Sequence, residues 1–500
     1  MTYHTSIKQQ LEQIQQADQG RLRKKILILG AGMAGLAAGY ELAQRGHQVQ
    51  IFEAERSRLG GRVWTRKFKN GQYGELGAMR IPAAHDYTRH YIKLLNLQLR
   101  KFINFNETTY RDFEETICRA NVAGQTIGDL FDLSQRDRDA IKQENDLDAI
   151  YIRMMEDVWS GLDEADKVQL FGHGPLSANL SQLDTSLLQT LRHSADTEDA
   201  VRLIGKVTVL DNYWQRSTLM FLREEIEGAF VGLEEIQGGT DLLPQALANA
   251  PLPDGTTLQD HIYFSREVYS IEQGNQGITV TFKQEGKLDT ATFSYVLCTI
   301  PFSVLRRIDI KGLPNGKKIV DAIQGLGYHS ATKVLVNCTK RFWELDQQGA
   351  IYGGASLSDS IARMTFYPSD NEKEKNQAIS NGPGVLLGSY SWGANARRLG
   401  ALNPPERGEV VVDKIRRFHP QITDYIDPEE PYASIAWDQH PFAAGAFASP
   451  SPIDLQMFFP GASQPAGRLF FAGEHLSPYT TWIQGALWSA LQAVMQIVKA

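Results

Sequence analysis

Apolar positions along this chain fall into two rhythms. The run KKILILG (24–30) sets Ile26, Leu27, Ile28 and Leu29 side by side without alternation, which predicts a short strand covered on both faces. Glycines follow, and then Leu36, Tyr40, Leu42 and Ala43 recur at helical spacing, with Gly46 as a helix stop. QVQIFE (48–53) predicts a second strand, so 24–53 read as a strand–helix–strand unit. Ahead of it, Ile7, Leu11 and Ile14 mark a polar helix over 5–17. From about 111 to 230 polar helical patterns dominate. Strands are predicted again at 261–271, 277–283, 290–299, 332–338, 361–367, 385–391 and 468–474, and a helix from about 482 to 499. A chain that returns to strands after a long helical stretch predicts interleaved domains.

Length and charge narrow the classes. Five hundred residues correspond to about three modules. The composition is 42% hydrophobic and 22% charged, which is globular. The net charge of −7 gives no reason to expect nucleic acid or an anionic membrane as partner. Residues 131–170 carry eleven acidic against five basic side chains, so most of the excess lies in one helical stretch. Cys118, Cys298 and Cys338 include no C-x-x-C pair, which argues against a disulfide framework or a zinc site. The N-terminal segment is polar, and no apolar run reaches the length that spans a bilayer. A soluble, cytoplasmic protein is the expectation.

Gly30-x-Gly32-x-x-Gly35 carries the first chemistry. It ends a buried strand, opens a helix, and is followed by Glu53 at the end of the next strand. Gly30 permits the turn, Gly32 lets a pyrophosphate approach the backbone, and Gly35 allows close helix–strand packing. Free N–H groups at the helix start favour phosphate, and Glu53 can accept from ribose hydroxyls. A dinucleotide is therefore expected.

RLGGRVWT (58–65) then sets Gly60 and Gly61 between Arg58 and Arg62. GAGMAGL, Glu53, RLGGRVWT and the terminal FFAGEHLSPYTTWIQGALWSALQA (470–493) together resemble the flavin-containing amine oxidase superfamily across nearly the whole chain. The resemblance implies FAD as cofactor, in an α/β fold with a Rossmann-type FAD-binding domain, an interleaved mixed-sheet substrate domain and a helical domain. The implied segments are 22–80, 232–310 and 452–500 for FAD, 81–110 and 311–451 for substrate, and 111–231 for the helices, with 1–21 as a separate polar helix. By the same resemblance Gly30, Gly32, Met33, Ala34, Gly35, Glu53, Ala54, Gly60, Gly61, Arg62, Met79, Arg80, Val268, Gly473, Glu474, Trp482 and Ile483 contact the cofactor. Ala446 stands where monoamine oxidases carry a flavin-tethering cysteine, so non-covalent binding is expected.

GELGAMRIP (74–82) resembles the L-amino acid oxidase branch. This makes Arg80 the substrate carboxylate's partner, since a guanidinium grips a carboxylate with two parallel hydrogen bonds. Tyr367 is implied as a second donor to that carboxylate, and Lys333 as the catalytic lysine that holds a water near the flavin. Trp437, Phe447, Thr481 and Trp482 are implied around the substrate. Nothing charged appears among these positions to hold a charged side chain, so apolar or aromatic L-amino acids are favoured. His173 and His193 lie where the family has a mobile histidine, and neither aligns. The expected reaction is oxidative deamination with dioxygen as acceptor, giving a 2-oxo acid, ammonia and hydrogen peroxide, in a homo-oligomer, a dimer by resemblance. A monoamine or polyamine oxidase, an L-amino acid monooxygenase, a dehydrogenase and a flavin-binding scaffold without turnover remain open at this point.

Overall fold

A computed structural model describes residues 4–500 apart from positions 173, 315 and 348. Its central feature is a parallel five-stranded sheet ordered Leu469–Phe471, Tyr295–Cys298, Lys25–Leu29, Gln48–Phe52 and Ile262–Tyr263. Lys25–Leu29 lies in the middle, so both its neighbours are strands and both its faces are covered. That is why Ile26 to Leu29 are all apolar and buried. Helix Met33–Gln44 follows at once and packs against the terminal helix Ile483–Lys499, both of them apolar enough to be largely enclosed. The N-terminal helix Ile7–Asp18 is held by a capping box between Ser6 and Gln9 and rests on the terminal helix.

A second, mixed sheet has seven strands in the order Tyr432–Ala436, Ala331–Cys338, Gly384–Trp392, Met364–Phe366, Ala355–Ser358, Tyr110–Phe113 and Thr116–Arg119. Every residue of Ala331–Cys338 is buried. The hairpin Tyr110–Arg119 corrects the helical expectation for residues after 111. Its register sets Leu357 opposite Arg111, so tertiary pairing decides a short segment that has little periodicity of its own. A four-stranded sheet ordered Lys287–Phe293, Ile278–Gln284, Glu267–Gln273 and Asp309–Lys311 flanks the nucleotide end. The predicted strand at 261–271 is broken, because Ser265 takes a positive φ between its two parts.

Helices fill the span from Ala123 to Glu227. Ser134, Asp163, Ser177, Ser186, Thr197 and Ser217 each accept a backbone N–H at a helix start, so the boundaries are written in local chemistry. The acidic stretch at 131–170 is mostly solvated, but Asp137 is buried and pairs with Arg153 at 2.6 Å. No described helix is long and apolar enough to cross a membrane.

Strand and helix approach most closely at Gly35. A Cβ there would sit 2.0 Å from the Gly30 carbonyl oxygen and 3.0 Å from Thr299 Oγ1. Both obstacles belong to the core of the first sheet, so relief requires the helix to move. Gly35→Ala is expected to lower unfolding free energy by about 2 kcal/mol or more, read from denaturant midpoints.

Candidate active site

The strand ends of the parallel sheet open into a continuous cavity of about 410 Å³. One end is built from the first strand–helix turn. Gly30 has φ +105, and the backbones of Gly32 and Gly60 pair directly, so that a Cβ on Gly61 would come within 3.3 Å of Gly32 Cα. Two chain segments thus lie bare along one wall, and their lack of side chains leaves room for a pyrophosphate. Glu53 ties the wall together, accepting from the Ala31 N–H at 2.8 Å and the Glu55 N–H at 2.9 Å. Burial raises its pKa above the usual carboxylate value. Ala54, Met33, Ala34 and Val268 also line this end. Arg266 lies there too, its guanidinium 4.8 Å from the Phe282 ring centroid, a flat cationic surface that no motif announced.

Glu474 anchors the middle. It accepts from Arg62 Nη1 at 2.7 Å, from the Ala448 N–H at 3.0 Å and from the Thr481 N–H at 3.0 Å. Burial alone would raise its pKa, but Arg62 and these donors hold it below the usual value. One carboxylate therefore fixes the Gly60–Arg62 turn, the Ala446–Ala448 segment and the start of the terminal helix. Gly473, Thr481, Trp482 and Ile483 line the cavity beside it, with the helix N-terminus at Ile483 facing in. The cradle, the buried Glu53 and the inward helix start together fit a flavin dinucleotide.

Lys333, Trp437, Tyr390 and Phe447 line the other end. The Lys333 ammonium donates to the Gly77 carbonyl at 2.6 Å and to the Glu75 carbonyl at 3.3 Å, touches Met79 Sδ at 3.3 Å, and lies 4.5 Å from the Tyr390 ring centroid. Burial pushes its pKa well down, and Arg80 adds to the shift. Trp437 Nε1 donates to the Leu76 carbonyl at 3.1 Å, which fixes the ring as a wall. Phe447 stacks on His329, 5.7 Å between centroids.

Arg80 occupies an aromatic chamber beside this end. Its guanidinium lies 5.7 Å from the Phe230 ring centroid and 5.9 Å from those of Phe366 and Trp482. Nη1 donates to Asn104 Oδ1 at 2.9 Å. No carboxylate among the described residues comes within ion-pairing distance. Burial lowers its pKa, with Tyr390, Glu224 and Tyr213 opposing the shift.

The structure does not bring Tyr367 to Arg80. The Tyr367 hydroxyl bonds Ser356 Oγ and His419 Nε2, both at 2.8 Å, in a separate core around Trp343 and Ile415. The reason is parity along the chain: neighbouring residues in an extended segment face opposite sides, and Phe366 takes the side towards Arg80. Tyr390, from the adjacent strand, and Tyr213 are the phenols within electrostatic reach of Arg80 instead. Gly35 and Met79 stand behind the cavity wall. Of the histidines, His193 is exposed at a helix end, and position 173 lies outside the described residues.

Glu224 was not legible in sequence. Its Oε1 accepts from Trp482 Nε1 at 2.9 Å and Thr481 Oγ1 at 3.2 Å. The partners lie more than 250 positions away, and a single Glu in a polar helix carries no signal. Glu227, on the same helix, and His85, ahead of the helix Asp86–Leu94, bring Oε1 and Nε2 to 3.9 Å, both atoms buried without hydrogen bonds among the described residues, and His85 packs edge-on against Trp482. Burial, with Glu224 and Asp86 adding, raises Glu227 to about 9, while burial lowers His85 to about 3. Glu227 is thus protonated in the folded chain and ionised in the unfolded one between its usual value of 4.5 and about 9. Its contribution to stability is lost as pH rises through that window. Glu227→Gln, which stays neutral, is expected to be more stable than the parent by about 1–3 kcal/mol at pH 8 and nearly equal at pH 5, by chemical denaturation.

Comparison with known proteins agrees with this geometry. The model of the flavin containing amine oxidoreductase family matches residues 33–498. A flavin-dependent L-tryptophan oxidase of Lentzea aerocolonigenes is 33% identical over 490 residues, covering 95% of this chain and 98% of that one. An L-amino-acid oxidase of Bothrops atrox is 29% identical over 497 residues, covering 95% and 89%. A putrescine oxidase structure superposes with a TM-score of 0.70 at 19% identity, covering 96% of this chain and all of its own. The matched span takes in Glu53, the Gly60–Arg62 turn and Glu474 at the hub of three segments, and the chain belongs to the flavin-containing amine oxidoreductases.

Proposed function

We propose that this protein oxidises L-α-amino acids to 2-oxo acids and ammonia, with dioxygen reduced to hydrogen peroxide. The observation that carries the reading is Arg80, a guanidinium enclosed by aromatic rings next to the flavin cavity and lacking an anion. Free amines offer nothing to it, whereas the carboxylate of an amino acid supplies two acceptors in the geometry a guanidinium fits. The relatives named as L-amino-acid and L-tryptophan oxidases support the same class.

The flavin supplies the two-electron acceptor and the route from substrate to dioxygen. The chain's residues do the rest. Arg80 fixes the carboxylate, and Tyr390 stands where its hydroxyl can assist. Trp437, Phe447 and Trp482 wall the chamber and keep water from the α-carbon. Holding the α-hydrogen towards the cavity is an entropic contribution to rate. The reacting amine must be neutral, so turnover is expected to rise with pH as the substrate ammonium deprotonates. Lys333, held by the Glu75 and Gly77 carbonyls with a depressed pKa, would hold a water at its end of the cavity when the cofactor is bound. The imino acid leaves and takes up water to give the oxo acid. Assembly into a dimer belongs to this reading as well, and light scattering tests it.

Arg80→Ala is expected to lower kcat/KM for L-amino acids by roughly 100-fold or more, in a peroxide-coupled assay. Unchanged efficiency would refute the carboxylate assignment. Because Ala446 has no thiol to form a thioether, acid precipitation is expected to release yellow flavin into the supernatant; colour that stays with the pellet would contradict non-covalent binding.

A further inference from the structure

The chamber around Arg80 contains one more charged group. Glu224 comes from helix Thr218–Glu227 and reaches the start of the terminal helix. Only its Oε1 is engaged, by Trp482 Nε1 and Thr481 Oγ1. Its Oε2 accepts from no described residue, which leaves an acceptor for a guest. Trp482 lies between the two charges: its N–H binds Glu224, and its ring faces the Arg80 guanidinium. Arg80 and Glu224 influence each other's ionisation but form no ion pair. Burial raises the Glu224 pKa, while the hydrogen bonds from Trp482 and Thr481 and the Arg80 charge oppose the shift.

We propose that Glu224 reads the substrate side chain, accepting a hydrogen bond on Oε2 from an N–H group at its far end and so selecting L-amino acids with nitrogen-bearing side chains over hydrocarbon ones. This rests on the L-amino acid reading above and refines it. Two features of the chemistry assign Glu224 to the side chain rather than to the α-nitrogen. The reacting amine must become neutral, and a facing carboxylate would hold the ammonium charged and oppose the reaction. A cation or N–H donor further out leaves that step untouched. A free carboxylate oxygen among apolar rings also penalises a hydrocarbon guest, which strips its water and returns no hydrogen bond. The expectation of apolar substrates came from sequence positions that did not include Glu224. The donor chemistry is shared by guanidinium, ammonium and neutral indole side chains, and a substrate series separates them.

The experiment uses the flavin-loaded protein with L-arginine, L-lysine, L-tryptophan, L-leucine and L-phenylalanine, following initial rates of peroxide formation. Glu224→Gln keeps an acceptor for Trp482 and Thr481 but removes the charge and sets an NH2 donor where Oε2 stood; Glu224→Leu removes every polar atom. The parent is expected to favour the nitrogen-bearing substrates. Glu224→Gln is expected to lower kcat/KM for arginine and lysine about 10- to 100-fold, with leucine and phenylalanine changed less than about 3-fold. Tryptophan is expected to fall with both variants, since neither leaves an acceptor where Oε2 stood. A fall confined to arginine and lysine assigns a cationic side chain, and one confined to tryptophan assigns the neutral donor; both support the proposal. Parent preference for leucine or phenylalanine, or an equal change across all five substrates with Glu224→Gln, would overturn it. Retained flavin absorbance identifies a folded variant, and Glu224→Gln decides the matter if Glu224→Leu does not fold. A parent that oxidises none of the five overturns the L-amino acid reading itself, and is distinguished by the absence of bleaching under anaerobic conditions.

Discussion

A half-buried guanidinium with no carboxylate in ion-pairing distance among the described residues is the constraint around which the substrate end is built. Removing a charge from water is costly, and an unpaired one ordinarily persists only where something else stabilises it. Arg80 has one neutral hydrogen bond, to Asn104, and the faces of Phe230, Phe366 and Trp482. Cation–π contact offsets part of the desolvation. The proposed substrate carboxylate would offset the remainder, so the strength of binding comes from a cost already borne in folding. The rings around Arg80 come from distant stretches: Phe230 follows the helix Thr218–Glu227, and Trp482 begins the terminal helix.

The nucleotide end follows a different logic. There the backbone itself is the binding surface, and side chains must be absent. Gly30, Gly32, Gly60 and Gly61 leave peptide groups bare, while Gly35 lets the helix meet the strand. Glu53 and Glu474 hold these segments from within, one across the turn and one across three distant stretches. Glu474 also links the two ends, since its Thr481 donor shares a residue with the Glu224 contact. A change at the start of the terminal helix is therefore felt at both the cofactor and the substrate.

Residues that align by local pattern and residues that assemble by packing separate cleanly here. Gly30, Gly32, Glu53, Gly60, Gly61 and Arg62 were legible because each sits in a short stretch whose pattern has a physical task, and Gly473 and Glu474 through resemblance. Lys333, Trp437, Phe447, Thr481 and Trp482 were legible through resemblance, and the structure sets them on the cavity. Tyr367 was placed one position from the residue that faces Arg80, and a one-residue difference in an extended segment reverses the side. Arg266, Tyr390 and Glu224 had no local signature at all.

The sequence by itself determined the strand–helix–strand unit and the dinucleotide cradle, and Arg80 entered through resemblance. The unit and the cradle depend on neighbours within a few tens of residues, where spacing and side-chain chemistry act directly. Tertiary structure decided the hairpin Tyr110–Arg119, the side on which Tyr367 falls, the enclosure that depresses Lys333, and the meeting of Glu224 with Trp482. Those depend on which distant surfaces exclude water together, and burial, not sequence spacing, sets both the contacts and the charges found there.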